Sequence, residues 1–540
     1  MGIAGAANLV CLVNLPRGRE HPYAPLGLLC LAGALKGTAF PSLVLDFELL
    51  YRTGKLSSSD PNLPETVARM AADTGARFFG VTTDCSSYPV TIRFCQLLKE
   101  RNPRAVVILG GPHASFIGPE TIAAFPEAVD FVVRGEGEET LPELLAALAA
   151  GSDPGAVRGI AYRADGRVVA TPPRPPVRDL DALPRPDFTG YPVAELLALF
   201  APLGQHPFLP VESGRGCPKA CSFCAATRLW GRHRARAPRT VFDEMAALNR
   251  EHGVSAFEVI QDNIASDPGF LPAFCDLLTD AGSPFRWSCS ISTDFLDDAI
   301  AERMRRAGCT GVFVGIESGS PEMQRLIGKQ LDLGHAERAV RACLERGMTV
   351  GTGFILGFPE ETTRDLDLTL SLATRLRKAG AEIRLSQLSI FPGTPIYRRH
   401  LGEVVLEERY SCTSVPLLSF AGQRELVARH PELFSSYFTL PNRHWPQVDL
   451  GWMILFFDIA WMYFPQPLGN VLEAAGPLGD GPLDVFLAWD RWRASTRPDA
   501  PFTPDFVFYS FNDFLDHFAA ELGRRRAERP GDLDSPAAPA

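Results

Sequence analysis

Short apolar runs alternate with amphipathic stretches from the first residues onward. Residues 8–14, 42–46, 76–82, 105–109 and 128–133 are continuous apolar runs of the kind found in strands covered on both faces. Between them the leucines, alanines and glycines of 25–36 recur at helical spacing. Strands separated by helices predict a parallel sheet with helices on both faces, a doubly wound, Rossmann-like α/β domain over 1–150. Such sheets bind ligands at the carboxyl ends of their strands. The polar and glycine-rich positions fall there: Asn14, then Thr82, Thr83 and Ser86, then Gly110-Gly111-Pro112-His113, then Gly135-Glu136-Gly137. Glycines at these ends allow close backbone approach, and free N–H groups there can hold phosphates or amides.

Residues 159–171 read as a hairpin turning at Asp165-Gly166. The prolines of 172–186 break regular structure, so 151–204 is expected to be hairpin plus semi-rigid linker. A second series of apolar runs follows at 210–213, 256–261, 286–291, 311–316, 349–356 and 384–390, separated by helical stretches such as 239–252 and 334–346. Six βα units predict a partial (β/α)6, TIM-like barrel over 205–402, with its chemistry at the strand carboxyl ends. From 403 the pattern is mainly helical and aromatic, a C-terminal unit over 403–523. The tail 524–540 has no apolar period and is expected to be disordered. The most apolar stretch, 453–464, is shorter than a membrane span and carries Asp458. A core helix is the first expectation for it, and a peripheral membrane contact the second.

Composition narrows the class. A chain of 540 residues with 46% hydrophobic and 21% charged residues is an ordinary multi-domain globular protein. A net charge of −10 argues against a general nucleic-acid binder. Twelve cysteines in this length are no secreted disulfide framework, and no basic n-region precedes the first apolar run, so a reducing cytoplasm is the expected compartment.

Three of those cysteines carry chemistry. In Gly214-Arg215-Gly216-Cys217-Pro218-Lys219-Ala220-Cys221-Ser222-Phe223-Cys224, the gaps are short enough for one loop to present three thiolates to one metal cluster. Soft thiolates suit iron–sulfur clusters or zinc. A structural zinc site would want a fourth ligand at regular spacing, and His233 fits poorly.

The Cys217, Cys221, Cys224 spacing, with aromatic Phe223 before the last cysteine, resembles the signature of radical S-adenosylmethionine (SAM) enzymes. The resemblance implies that the three thiolates hold a [4Fe–4S] cluster, that SAM chelates the fourth iron, and that an electron from the cluster cleaves SAM to methionine and a deoxyadenosyl radical. Residues 8–150 are similar to the cobalamin-binding domains that precede the barrel in one large radical SAM class. The resembling parts are 25–28, Gly110-Gly111-Pro112-His113-Ala114 and residues 134–140.

By the same resemblance, Asp262 and Ser290 at strand ends are expected at SAM, as are Glu317-Ser318 after the fourth barrel strand and Ile355 in the fifth. The loop after the first strand lacks the Asp-x-His-x-x-Gly pattern whose histidine ligates cobalt. His21 has the wrong neighbours, and His113 is the rival candidate. The resemblance therefore implies base-off cobalamin with no protein histidine on cobalt. It further implies methyl transfer from SAM through cobalamin to an unactivated carbon of a small-molecule or peptide precursor. Two alternatives stand beside it: a non-methylating rearrangement or cyclisation, and a cobalamin sensor or carrier without turnover. The basic residues Arg215, Lys219, Arg228, Arg232, Arg234 and Arg236 suggest docking of a flavodoxin- or ferredoxin-type electron donor.

Overall fold

A computed structural model describes residues 8–16, 22–57, 60, 62–406, 423–446, 448–476 and 481–528. His21 and the end of the tail, 529–540, lie outside the described residues.

The first sheet contains β1 (Val10–Asn14), β2 (Ser42–Asp46), β3 (Phe78–Thr82), β4 (Val106–Gly110), β5 (Phe131–Val133), β6 (Ile160–Ala164) and β7 (Arg167–Ala170). Its order is β2-β1-β3-β4-β5-β6-β7. The first five strands are parallel, and the reversal of direction of progress at β1 and β3 is the topological switch of a doubly wound sheet. Asn14, Thr82 and Gly110 all end strands on that side. The hairpin β6–β7 turns at Asp165 (φ 47°) and Gly166 (φ 74°), the left-handed pair of a type I′ turn. It is more than a linker element, because β6 pairs antiparallel with β5 and extends the first sheet.

The second sheet contains β8 (Leu209–Glu212), β11 (Ala256–Ile260), β12 (Arg286–Ser290), β13 (Cys309–Glu317), β14 (Thr349–Leu356) and β15 (Glu382–Gln387). A small separate pair, β9 (Gly214–Arg215) and β10 (Arg234–Ala235), follows β8 in the chain. The six strands are parallel neighbours in chain order, the open (β/α)6 arrangement expected. Alternation sets the two faces. Val211, Phe257, Val259, Trp287, Val314, Phe354 and Leu385 pack outward in one core cluster with the surrounding helices. The inner face is barer: a Cβ on Gly353 would come within 2.9 Å of the Phe313 ring and one on Gly351 within 3.1 Å. Phe313 therefore lies across backbone, and the Arg384 guanidinium stands 5.9 Å above its ring.

The C-terminal unit covers the open edge. Met453, Ile454, Phe456, Phe457 and Trp461 of the helix Leu450–Tyr463 are buried in the barrel core against β15. The core-helix expectation for 453–464 holds for these residues, while Met462 and Tyr463 at its end are exposed. Among the described residues no helix is long and apolar enough to cross a membrane. The last helix, Pro504–Glu528, runs into the segment expected to be disordered from 524.

Ahead of these helices a strap, residues 423–446, ties the two sheets together. The Tyr437 hydroxyl donates to the Ser86 carbonyl at 2.7 Å, and His113 Nε2 donates to the Leu433 carbonyl at 2.8 Å. On the barrel side Ser435 donates to the Ile390 carbonyl at 2.6 Å, and Asn442 donates to the carbonyls of Phe358 and Glu361 at 2.8 and 2.9 Å.

His113 illustrates the energetics. Its ring is buried, 4.5 Å from the Tyr88 ring centre, and burial pushes its pKa down from 6.5 to about 4. The folded chain holds it neutral while the unfolded chain takes up a proton below about pH 6.5. Its contribution to stability is therefore intact above pH 6.5 and is lost as pH falls toward 4. At about 1.4 kcal/mol per pH unit the loss reaches roughly 3 kcal/mol. His113→Gln keeps a donor for Leu433 and does not titrate. Its melting temperature is expected to fall less steeply than wild type between pH 7 and 4.5; parallel profiles would refute the assignment.

Candidate functional site

The cysteine loop leaves the carboxyl end of β8 through β9. Gly216 sits at φ 88°, and its N–H donates to Asp262 Oδ2 at 2.8 Å. The Thr227 hydroxyl reaches the carbonyls of Cys217 (3.1 Å) and Lys219 (2.7 Å). The Ser222 N–H donates to the Ile327 carbonyl at 2.8 Å, and the Ser222 carbonyl accepts from Ile396 at 3.2 Å. The loop is thus fixed by protein hydrogen bonds alone. Cys221 is buried, Cys217 and Cys224 are half-buried, and all three are free thiols. Burial pushes the Cys221 thiol up to about 11 against the opposing pull of Lys329, and burial likewise raises Cys224.

Among the described residues no three His, Cys, Asp or Glu side chains are drawn together as one bare ion would need. A cubane takes one thiolate on each of three irons, so its ligands stand further apart. Three thiols on one rigid loop are the donor set that such a cluster takes.

Phe223 packs edge-on against Phe358 at 5.9 Å, and both lie with Ile355, Met323 and Ile390 in an apolar cluster at the carboxyl ends of β14 and β15. The polar rim is formed by the neighbouring strands. Asp262 is committed through one oxygen to the cysteine loop. Ser290 ends β12, where its carbonyl accepts from Ile264 at 3.0 Å. Glu317 ends β13 in the left-handed region at φ 69°, beside a register shift, and accepts from Lys329 Nζ at 2.6 Å. A Cβ on Gly315 would fall 2.3 Å from Glu317 Oε1, so glycine is required for the pair to lie across the strand. Backbone strain of this kind, about 1–3 kcal/mol, collects at functional sites. Ser318 is a correction: its buried hydroxyl pairs with Thr369 at 3.0 Å and faces away from the rim.

The first domain's ligand end divides in the same way. Gly110 and Gly111 meet Thr82 and Thr83 tightly, and the Thr83 hydroxyl bridges the Gly110 carbonyl (2.9 Å) and the Ala114 N–H (3.2 Å). Pro112 starts the following helix, Pro112–Ala124. Ser86 donates to Asp84 at 2.7 Å. Asn14 donates to Asp46 at 2.7 Å, yet its buried Oδ1 has no partner. Gly135, at φ 83°, has open space on its Cβ side. An unpaired buried amide oxygen at the end of β1, and side-chain-free backbone after β5, suit a ligand rich in amide donors such as cobalamin.

Glu136 is redirected. Its carboxylate accepts from Arg215 and Arg234, both at 2.8 Å, and from the Val177 N–H at 2.6 Å. His113, buried against Tyr88 and the strap, is equally committed elsewhere. The basic surface expected around the cysteines shrinks too. Arg215, Arg234 and Arg236 are turned inward onto carboxylates, Lys219 pairs with Asp294, and Arg228 and Arg232 remain exposed. Sequence reasoning missed Lys329, although its partner Glu317 lies 12 residues away, and the strap residues, whose partners are distant in sequence.

Comparison with known proteins agrees with this layout. The model of the radical SAM superfamily matches residues 211–373, and that of the B12 binding domain matches 18–145. An uncharacterized methyltransferase of Pyrococcus horikoshii is 30% identical over 322 residues, 59% of this chain and 68% of that protein. The anaerobic magnesium-protoporphyrin IX monomethyl ester cyclase of Rubrivivax gelatinosus is 29% identical over 357 residues, 65% of this chain and 62% of that one. The radical SAM methyltransferase TsrM from Kitasatospora setae, solved with cobalamin and a [4Fe–4S] cluster, shares the fold at TM-score 0.61 and 20% identity, covering 80% of this chain and 83% of TsrM. The two family models imply a [4Fe–4S] cluster, SAM and cobalamin. The chain belongs to the radical SAM superfamily, in the group that carries a B12-binding domain ahead of the barrel.

Proposed function

We propose that the protein is a cobalamin-dependent radical SAM methyltransferase acting on an unactivated carbon of a natural-product or peptide precursor. The observation that carries this reading is the junction of the two ligand ends: the cysteine loop of the barrel and the Gly135–Glu138 loop of the first domain share one hydrogen-bonded network. When bound, the cluster with SAM supplies one-electron cleavage of SAM, and cobalamin supplies a methyl carrier.

The chain's own residues position these groups. Cys217, Cys221 and Cys224 would hold the cluster. Asp262, Ser290, Glu317, Phe223 and Ile355 rim the place for SAM. Asn14, Thr82, Ser86, Gly110, Gly111, Gly135 and Gly137 border the place for cobalamin. The expectation that His113 does not ligate cobalt is supported by its ring, which is occupied with the Leu433 carbonyl. The inner wall with Phe313 and Arg384 is left for substrate. Exposed Arg228 and Arg232 beside the cysteine loop would meet an acidic flavodoxin- or ferredoxin-type donor, in a reducing cytoplasm.

The test is an anaerobic reaction of reconstituted enzyme with hydroxocobalamin, a reductant and methyl-labelled SAM, offered a cell extract and read by mass spectrometry. Deoxyadenosine with a labelled product one CH₂ heavier is expected. The cyclase relative favours one second reading, a non-methylating cyclisation or rearrangement. Deoxyadenosine with an altered but unlabelled product would establish it instead. No SAM cleavage would leave a sensor or carrier.

A further inference from the structure

Arg215 lies two residues before Cys217 and is only 5% exposed in its side chain. Four of its five N–H donors are used. Nε and one Nη2 hydrogen grip Glu212 at 2.8 and 3.0 Å, Nη1 reaches Glu136 at 2.8 Å, and Nη2 also reaches Glu138 at 2.6 Å. Its guanidinium stands 5.5 Å from the Trp230 ring centre, and Arg234 adds a second cation on Glu136. Burial alone would lower the Arg215 pKa, but the carboxylates outweigh it and hold the group firmly charged.

A junction of buried charges is a poor device for stability, since apolar residues of the same volume often do as well. Its particular property is direction. A planar guanidinium accepts carboxylates only along fixed lines, so three carboxylates on two domains fix its orientation and each other's. One path between the two ligand ends runs through it, from Cys217 through Gly216 and Arg215 to Glu136 and Gly135.

We propose that Arg215 is a positioning residue that sets the separation and angle between the two cofactor sites by clamping the cysteine loop to the Gly135–Glu138 loop. This rests on the methyltransferase reading for its catalytic consequence, and on geometry alone for the clamp. Small misplacements of reacting groups cost rate steeply while leaving binding intact. A loosened clamp should therefore leave SAM cleavage intact and impair the transfer to substrate.

Two measurements on the full chain separate the parts. The first is amide hydrogen exchange of the protein with hydroxocobalamin, comparing wild type with Glu136→Gln and Arg215→Lys. Glu136→Gln, made in the first domain, is expected to speed exchange in residues 214–224 of the barrel by about tenfold, leaving β4 and β12 unchanged. Arg215→Lys, which keeps the charge but loses the fork, is expected to do the same, and iron content should stay at wild type in both. The second is the ratio of product to deoxyadenosine in the reconstituted enzyme. The ratio is expected to fall about tenfold while deoxyadenosine release stays within about twofold.

Wild-type exchange at 214–224 in Glu136→Gln would overturn the clamp. Product and deoxyadenosine falling in parallel would overturn its positioning role. If wild type made no methylated product while the exchange coupling held, the methyltransferase reading would fail and the clamp would stand.

Discussion

Cys221→Ala is expected to lose the iron–sulfur chromophore and at least about 10³-fold of deoxyadenosine formation. Cys221 is the most buried of the three thiols, at 9% exposure. The backbone on its far side is pinned by the Ser222 hydrogen bonds to Ile327 and Ile396, so the loop cannot bring another thiol into its place. Those bonds use backbone atoms, which alanine keeps, and the change removes only the sulfur. The fold should therefore survive, with a melting temperature within a few degrees of wild type. Cys343→Ala is the control: that thiol is buried behind the barrel wall, and its removal should leave the iron content intact. Equal iron in the Cys221→Ala and wild-type proteins would remove the cluster assignment.

Gly111→Ala is the second large effect. Gly111 has φ 98° and ψ 177°, a region that only glycine occupies readily. A Cβ there would lie 2.5 Å from the Thr83 carbonyl oxygen and 2.9 Å from its nitrogen, both backbone atoms between adjacent strands. Neither can yield without shifting β3 against β4. Strain and clash together are expected to cost about 3–5 kcal/mol, at the severe end for a single substitution. The movement would deform the strand ends around Thr82 and Gly110, so hydroxocobalamin binding, read by absorbance titration, should weaken at least about a hundredfold. Gly135→Ala provides the contrast. It has a similar φ of 83° but nothing within 4 Å of its Cβ, so it should carry about 1 kcal/mol of backbone strain and no clash. If both variants bound cobalamin equally, the tight approach at Gly111 would have no bearing on the ligand end.

The strands are legible in the sequence because a strand covered on both faces is a continuous apolar run, whatever it packs against. The runs at 42–46 and 349–356 coincide with β2 and β14. The Asp165-Gly166 turn is legible for the same local reason. The direction of polar side chains is not. Glu136 and Ser318 stand at strand ends, where cofactors bind, and nothing nearby in the chain says that Glu136 will meet Arg215, 79 residues away, or that Ser318 will meet Thr369, 51 residues away. The basic run after the cysteines misleads in the same manner. Its arginines form a dense positive stretch in sequence, but Arg234 and Arg236 are taken inward by Glu136 and Glu244 of other elements, leaving Arg228 and Arg232 exposed. The tail lacks apolar period from 524, which predicts disorder, whereas a helix already under way continues on charged, helix-favouring residues to Glu528.

The strap has a consequence for how the protein is made. Its contacts close loops of 320 residues at His113 and 351 residues at Ser86, and it leaves the ribosome after both sheets. Domains formed during synthesis fold in order of emergence. The first domain's ligand end is thus complete for most of translation and the barrel's only once β15 has emerged, and the two are bridged when the last quarter of the chain arrives. A ribosome that stops before residue 423 would release both sheets without this bridge, joined by the linker and the clamp at Arg215.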